Sequence, residues 1–371
     1  MRPAHLYIHI PFCARRCTYC DFAIAVRRDT PVDEYLDAVA AELHLRYPPT
    51  EPWTLHTVYL GGGTPSRLGG EGVAKLLDLV RDHATIARDA EITIEANPDD
   101  VDPASSAAWL AAGVSRISIG AQSFDDRVLD WMHRTHDASA IPRAVRSARD
   151  AGFDDVSLDL IFALPASLGR DWTADLDRTL ALEPDHVSLY GLTIEAATPL
   201  GRQQARGTLT EAAEETYEVE YLEADRKLTH AGFVHYEVSN FGRPGKAARH
   251  NSAYWKGVPY AAVGPGAHEY DGLRRRWNPR GYTAWAARAV RGEDPAEGSE
   301  SLTDESRAAE SVYLGLRTSA GLPLASSEME RTARWVEAGW ATVDDRVLRM
   351  TPAGWLRLDA IAADLTVVRS R

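Results

Sequence analysis

Every cysteine of the chain sits in one short loop, Cys13, Cys17 and Cys20 at the spacing C-x3-C-x2-C, directly behind an apolar stretch from His5 to Ile10. That loop restricts the fold more than any other feature, because three thiols gathered after a strand need a sheet end to present them. An odd number of cysteines argues against a disulfide framework. A structural zinc site wants four ligands in a closed tetrahedron, and the nearest fourth candidate, His9, lies inside the strand with poor geometry. A 4Fe–4S cluster is ordinarily held by thiolates. Three of them leave one iron open, and the spacing sets this loop apart from three incidental buried thiols. An open iron can be chelated by the amino and carboxylate groups of S-adenosylmethionine (SAM). Reductive cleavage of its sulfonium then gives an adenosyl radical, chemistry that belongs to the cofactor while the protein positions it and excludes water.

Around the loop, short apolar runs alternate with helical patterns, the signature of βαβ units on a parallel sheet. Strands are predicted at His5–Ile10, 57–60, 91–95, 116–120, 155–162 and 186–192, with helices at 31–46, 70–82, 171–182 and 211–229. Six βα units are too few for a closed eight-stranded barrel. The expected architecture is therefore α/β: a partial (β/α)6 barrel, splayed open on one side for a large ligand. Polar residues at the C-terminal ends of its strands, Glu95, Asn97, Gln122 and Asp159, fall where such folds place their sites. Turn chemistry accounts well for Asn97 before Pro98, and poorly for Gln122. Gly61-Gly62-Gly63-Thr64-Pro65 follows the second strand, where glycine allows close backbone approach and free N–H groups can grip a carboxylate. Tyr19, inside the cysteine loop, is placed to contact an adenine.

Beyond about residue 200 the rhythm becomes irregular. Residues 236–242 suggest a strand and turn, and a Gly/Pro-rich aromatic stretch follows. Helical periodicity returns at 304–316. A hairpin is then expected from 340–343 and 347–350 about a turn at Asp344-Asp345, with a helix from Pro352. This is a small, helical, winged-helix-like unit. The division read from the sequence is a barrel at 1–245, a connector at 246–300 and the winged-helix-like domain at 301–371.

The formal net charge of −13 speaks against nucleic acid as a partner, since such binders carry a basic face for phosphates. The densest basic cluster, Arg274-Arg275-Arg276, is expected in a solvated loop. No stretch reaches the ~18 to 20 apolar residues of a membrane span, and the first residues lack the zones of a signal peptide. A cytoplasmic location is the expectation.

Five segments together carry a family likeness: the cysteine motif, GGGTP, IEANP (94–98), SIGAQSF (118–124) and LDLIFALP (158–165). Across nearly its whole length the chain resembles the family of oxygen-independent coproporphyrinogen III oxidase, a radical SAM family. The resemblance implies that Tyr7, Tyr19, Gly63, Thr64, Glu95, Gln122, Arg134 and Asp159 contact SAM or line its site. Two departures point to a haem-chaperone branch of that family. The oxidases show a further cysteine shortly after the third, where this chain has Asp21-Phe22, and the chain reaches its first strand without their N-terminal extension. In addition, His250-Asn251-Ser252-Ala253-Tyr254-Trp255 matches an HNxxYW motif of the chaperone branch, as does YEVSNFGRPG (236–245) before it.

As a haem site the motif makes chemical sense. Imidazole is a common axial ligand, and Tyr254 and Trp255 offer flat apolar faces with polar tips. His250, Asn251, Tyr254 and Trp255 are thus the haem-binding candidates, with His235, His268 and His136 as rival ligands. The resemblance implies a carrier that binds haem and passes it to acceptor proteins, respiratory ones among them, supplied with electrons by a reductant such as a flavodoxin or ferredoxin. The alternatives are oxidative decarboxylation of coproporphyrinogen III, or a radical SAM methyltransferase or cyclopropanase.

Overall fold

The computed structural model describes residues 2–369, the side chain of Val368 excepted. Its main sheet has nine strands. Six of them follow one another in parallel: β1 (His5–Ile10), β2 (Thr54–Gly62), β3 (Thr85–Ala96), β4 (Arg116–Gln122), β5 (Val156–Phe162) and β6 (His186–Gly191). Next to β6 come two antiparallel strands, β7 (Val234–Glu237) and β8 (Asn240–Gly242), with β8 on the β6 side. At the opposite edge β9 (Ala261–Val263) runs parallel to β1, in register Leu6 with Ala261 and Ile8 with Val263. No ladder joins the two edges among the described residues, so the barrel is partial.

Period-two alternation gives the sheet two unlike faces. One face carries Leu6, Ile8, Ile10, Val58, Leu60, Ile92, Ile94, Ile117, Ile119, Leu158, Leu160, Val187 and Leu189, all buried in the core. Helices cover that face, among them Val32–Arg46, Gly69–His83, Pro103–Ala112 and Ala140–Ala151. The alternate residues line the inside of the barrel and are mostly polar. Tyr59 donates to Glu95 at 2.8 Å, Ser118 to Asp159 at 2.9 Å, and Ser157 bonds the His186 ring at 2.8 Å. An ordinary parallel barrel fills its interior with branched apolar side chains. This one is built to hold something polar.

The C-terminal segment carries a three-stranded antiparallel sheet, Leu322–Pro323 and Ala341–Asp344 flanking Val347–Met350. The helices Asp304–Leu316, Met329–Glu337 and Leu358–Arg369 pack around it, as expected of a winged-helix-like unit. It is joined closely to the barrel: Val238 N–H donates to Arg317 O at 3.0 Å, and Trp355 Nε1 donates to Leu316 O beneath the His235 ring.

Three local expectations are corrected. Arg274–Trp277 is the central strand of a second sheet, between His268–Tyr270 and Gly298–Ser301, and not a loop. Arg275 pairs with Glu300 and Glu310 and Arg276 with Glu269 and Asp294, while Arg274 donates to Ser299, which lets three arginines sit side by side. The hairpin turn falls one residue later than expected, at Asp345 and Arg346, which both hold positive φ as a tight two-residue turn requires. The main sheet also runs past residue 245, since β9 lies within the connector. Three apolar residues among glycines and aromatics give no periodicity from which to read it.

Candidate functional site

The cysteine loop is fixed at the C-terminal end of β1. Phe12–Cys13 pairs with Ala25–Val26, Arg27 N–H donates to Cys13 O at 3.0 Å, and Thr18 N–H donates to Met132 O at 3.1 Å. Behind it lies a cavity of about 410 Å³, within the roughly 300–1,000 Å³ usual for small-molecule sites. Its lining brings together all three cysteines with Tyr19, Gly63, Thr64, Glu95, Gln122, Arg134 and Asp159. Tyr7 is the one residue of that set outside the lining. Its hydroxyl is bonded to His9 Nδ1 at 2.9 Å, and its ring stacks on Tyr59 inside the barrel.

Each glycine of the GGG loop is demanded by a close approach. A Cβ on Gly61 would lie 2.7 Å from the Tyr59 ring, one on Gly62 2.6 Å from the His9 ring, and one on Gly63 2.5 Å from Pro11 O. The free N–H groups expected of this loop are absent at two positions. Gly62 N–H donates to Glu95 at 2.9 Å and Gly63 N–H to Ile10 O at 2.8 Å. The loop therefore supplies proximity and orients Glu95.

Gln122 holds φ of 65°, rare for a residue with a side chain, at the end of β4. The next residues make that conformation obligatory, because Ser123 Oγ and Phe124 N–H both donate to Asp175 at 2.8 Å. Strain held by its surroundings is typical of functional positions.

Sequence reasoning missed the part played by Asn97. Its Oδ1 accepts from Arg134 at 2.6 Å and faces His136 at 3.3 Å, while its Nδ2 donates to Thr135 at 2.9 Å. Arg134 in turn donates to Gly120 O at 3.0 Å and reaches Cys17 Sγ at 3.6 Å, and its Nε is buried without a partner. Tyr190 and Ser118 also line the cavity. Both occupy inward positions of their strands, the one signal by which they could have been found.

Burial sets the electrostatics. It raises Glu95 to about 7, against hydrogen bonds from Tyr59 and Gly62 that favour the carboxylate. Burial also raises Asp159, opposed by Ser188 and Ser118. The Cys13 thiol is pushed up to about 11 and that of Cys20 is raised, again by burial. Such thiols stay protonated until a cation is offered, and metal binding then releases protons.

The donor set fits an iron–sulfur cluster. No three His, Cys, Asp or Glu side chains among the described residues converge on a single ion, and a cluster needs its thiolates spread over several irons. Thr64 Oγ1 reaches Cys13 Sγ at 3.5 Å, so two of the sulfurs already have a donor beside them. Carboxylates at 95 and 159 suit a cationic ligand, and the orphaned Arg134 Nε suits a carboxylate on it.

The HNxxYW segment lies at the other end of the barrel. It forms the helix Arg249–Trp255 beneath the strand starts. His250 is 1% exposed, with Nδ1 bonded to Thr57 Oγ1 at 2.7 Å and Nε2 to Tyr254 Oη at 2.8 Å. Burial, aided by His5, lowers its pKa to about 3. Asn251, Tyr254 and Trp255 are half-buried on the same helix. Among the rival histidines, His235 is stacked on Phe241 and bonded to Asp225, His136 is buried beside Arg134, and His268 is exposed.

A barrel of this form with three thiols at its mouth defines a radical SAM protein, and the sequence model described as the Radical SAM superfamily matches residues 7–176. Among curated proteins, the chain is 40% identical over 370 residues to the heme chaperone HemW of Mycobacterium tuberculosis, covering 98% of this chain and 95% of that one. It is 34% identical over 317 residues to heme chaperone HemW of Bacillus subtilis, covering 85% and 84%. The chain belongs to the HemW family. Among solved structures, coproporphyrinogen III oxidase HemN from Escherichia coli, described as a radical SAM enzyme, superposes with a TM-score of 0.82. That match is 23% identical and covers 98% of this chain and 89% of that one, a likeness of fold.

Proposed function

We propose that this chain carries haem and delivers it to acceptor proteins, with a 4Fe–4S cluster on Cys13, Cys17 and Cys20 and SAM in the cavity behind them. The observation that carries the reading is the 40% identity to a heme chaperone across 98% of the chain, C-terminal segment included. When bound, the cluster and SAM together supply one-electron chemistry at a sulfonium centre. Everything else falls to the protein. Thr64 and Arg134 donate toward the sulfurs, Tyr19 covers the loop, and Gly63 lets a ligand approach the backbone. Glu95 and Asp159 oppose the positive charge of a sulfonium or ammonium, which draws Glu95 below its raised pKa on binding. Gln122 is held facing the same space. The reading sets the chain in the cytoplasm, whose reducing pool keeps thiols available for iron.

Electrons have to arrive from outside. Arg15, Arg16, Arg27 and Arg28 are exposed around the loop and form no ion pair among the described residues, in a chain of net charge −13. Such a rim complements an acidic carrier such as a flavodoxin or ferredoxin and would speed its encounter at low salt.

Two measurements test the function. Anaerobic titration of the cluster-reconstituted protein with haem, followed in the Soret band, should saturate near one haem per chain; nonspecific uptake would overturn the proposal. In the second, Cys17→Ser should remove the cluster's absorption and reductive SAM cleavage together. Retained cleavage would discard the cluster assignment.

A further inference from the structure

A second cavity, of about 440 Å³, opens between the end of the Arg249–Trp255 helix and the C-terminal segment. Its electrostatic character differs from that of the first. The cavity behind the cysteines sets four carboxylates, at 21, 95, 100 and 159, against three guanidiniums, at 15, 67 and 134. The second is lined by Lys256, Arg307 and Arg369 and by one carboxylate, Glu310, already ion-paired to Arg275, while Arg369 is held by Glu328 at 2.7 Å. Lys256 is exposed and has no ion pair among the described residues. Arg307 pairs with the solvent-exposed Asp304, an interaction weak enough to exchange for a better one. In a chain of net charge −13 this is a locally positive hollow.

Part of its wall is apolar. Trp255, Leu314, Leu322 and Pro323 contribute, and the guanidinium of Arg317 lies 4.4 Å from the Trp255 ring and braces it. Aromatic and aliphatic walls with a few cations recognise a planar apolar molecule that ends in carboxylates. No histidine, cysteine or methionine is among the lining residues, and the hydroxyl of the lining Tyr270 donates to Gly272 O at 2.8 Å. His250, at the other end of the same helix, has both ring nitrogens engaged within the barrel.

We propose that haem docks in this second cleft, its ring against Trp255 and the Leu314–Leu322 wall and its two carboxylates toward Lys256 and Arg307. The inference rests on the haem-carrying function proposed above. Recognition runs through the ring and its carboxylates, and His250 acts as a positioning residue that seats the helix. A carrier of this kind has no strong iron bond to break at handover.

The test is a fluorescence and Soret titration of the full, cluster-reconstituted chain with haem, metal-free protoporphyrin and haem dimethyl ester. Wild type is compared with the double variant Lys256→Glu, Arg307→Glu and with Ser311→Trp, which places bulk in the cleft from an exposed helix position. Cluster absorption and SAM affinity serve as controls. Haem and protoporphyrin should bind within a few-fold of each other, while the ester and both variants should lose affinity on the order of tenfold or more. SAM affinity should stay unchanged. Haem bound equally by wild type and both variants would overturn the cleft and leave the haem-carrying function standing. No saturable haem binding in wild type would overturn both. Binding confined to iron porphyrin and abolished by His250→Ala would place the site on the histidine instead.

Discussion

Glu95 holds its proton unusually late for a carboxylic acid, at about 7 against an ordinary 4.5, because it is buried. In the unfolded chain it ionises near the ordinary value. Between the two values the folded state therefore binds more protons than the unfolded state. The stability of the ligand-free protein should fall as pH rises through that window and level off above it. Glu95→Gln removes the effect. By thermal unfolding without SAM, the variant should match wild type at pH 5 and exceed it at pH 8, and an equal shift at both pH values would refute the argument. At this scale legibility depended on chemistry carried by single residues. The cysteines, Glu95 and Asp159 were readable because thiols and carboxylates at loop and strand ends need a reason to be there. Asn97 was not. Its place before Pro98 has a sufficient local explanation, and its bonds to Arg134, His136 and Thr135 join segments 38 residues apart in the chain.

The Arg249–Trp255 helix has only seven residues, too short to persist alone. Ala248 at its start offers no capping side chain. The cap comes from the barrel: Glu91 accepts from the backbone N–H of Arg249 at 2.8 Å and of His250 at 2.9 Å. Glu91→Ala should cost about 1–2 kcal/mol. Hydrogen exchange should accelerate in this helix while the Val32–Arg46 helix stays protected, and a uniform change over both would show that the cap is not local. The sequence displays the HNxxYW letters and conceals the cap 158 residues away. The long strands were legible from their apolar runs. The arginine-rich strand was not, because its acidic partners lie on other elements.

Across the whole molecule, one buried carboxylate joins distant parts. Glu42, fully buried in the Val32–Arg46 helix, accepts from Gly264 N at 2.9 Å, Asn278 Nδ2 at 2.7 Å and Trp285 Nε1 at 2.7 Å, and pairs with Arg46. Glu42→Leu would remove the acceptor of three buried amide or indole donors and one of the two carboxylates that meet Arg46, the other being Glu269. A loss of about 3–5 kcal/mol is expected in chemical denaturation; a loss below about 1 kcal/mol would mean that water replaces the carboxylate. The partial barrel was foreseeable from six βα repeats, while its ninth strand depended on contacts no local pattern encodes. That strand has a consequence for synthesis. On the ribosome β1 emerges early, and its partner β9 emerges roughly 250 residues later, on the order of 10–50 s at about 5–20 residues per second. Throughout that interval the edge of β1 that will meet Ala261–Val263 is an open template for any passing strand. A pause in translation anywhere between would lengthen that exposure, so the yield of this protein should depend on elongation speed as well as on final stability.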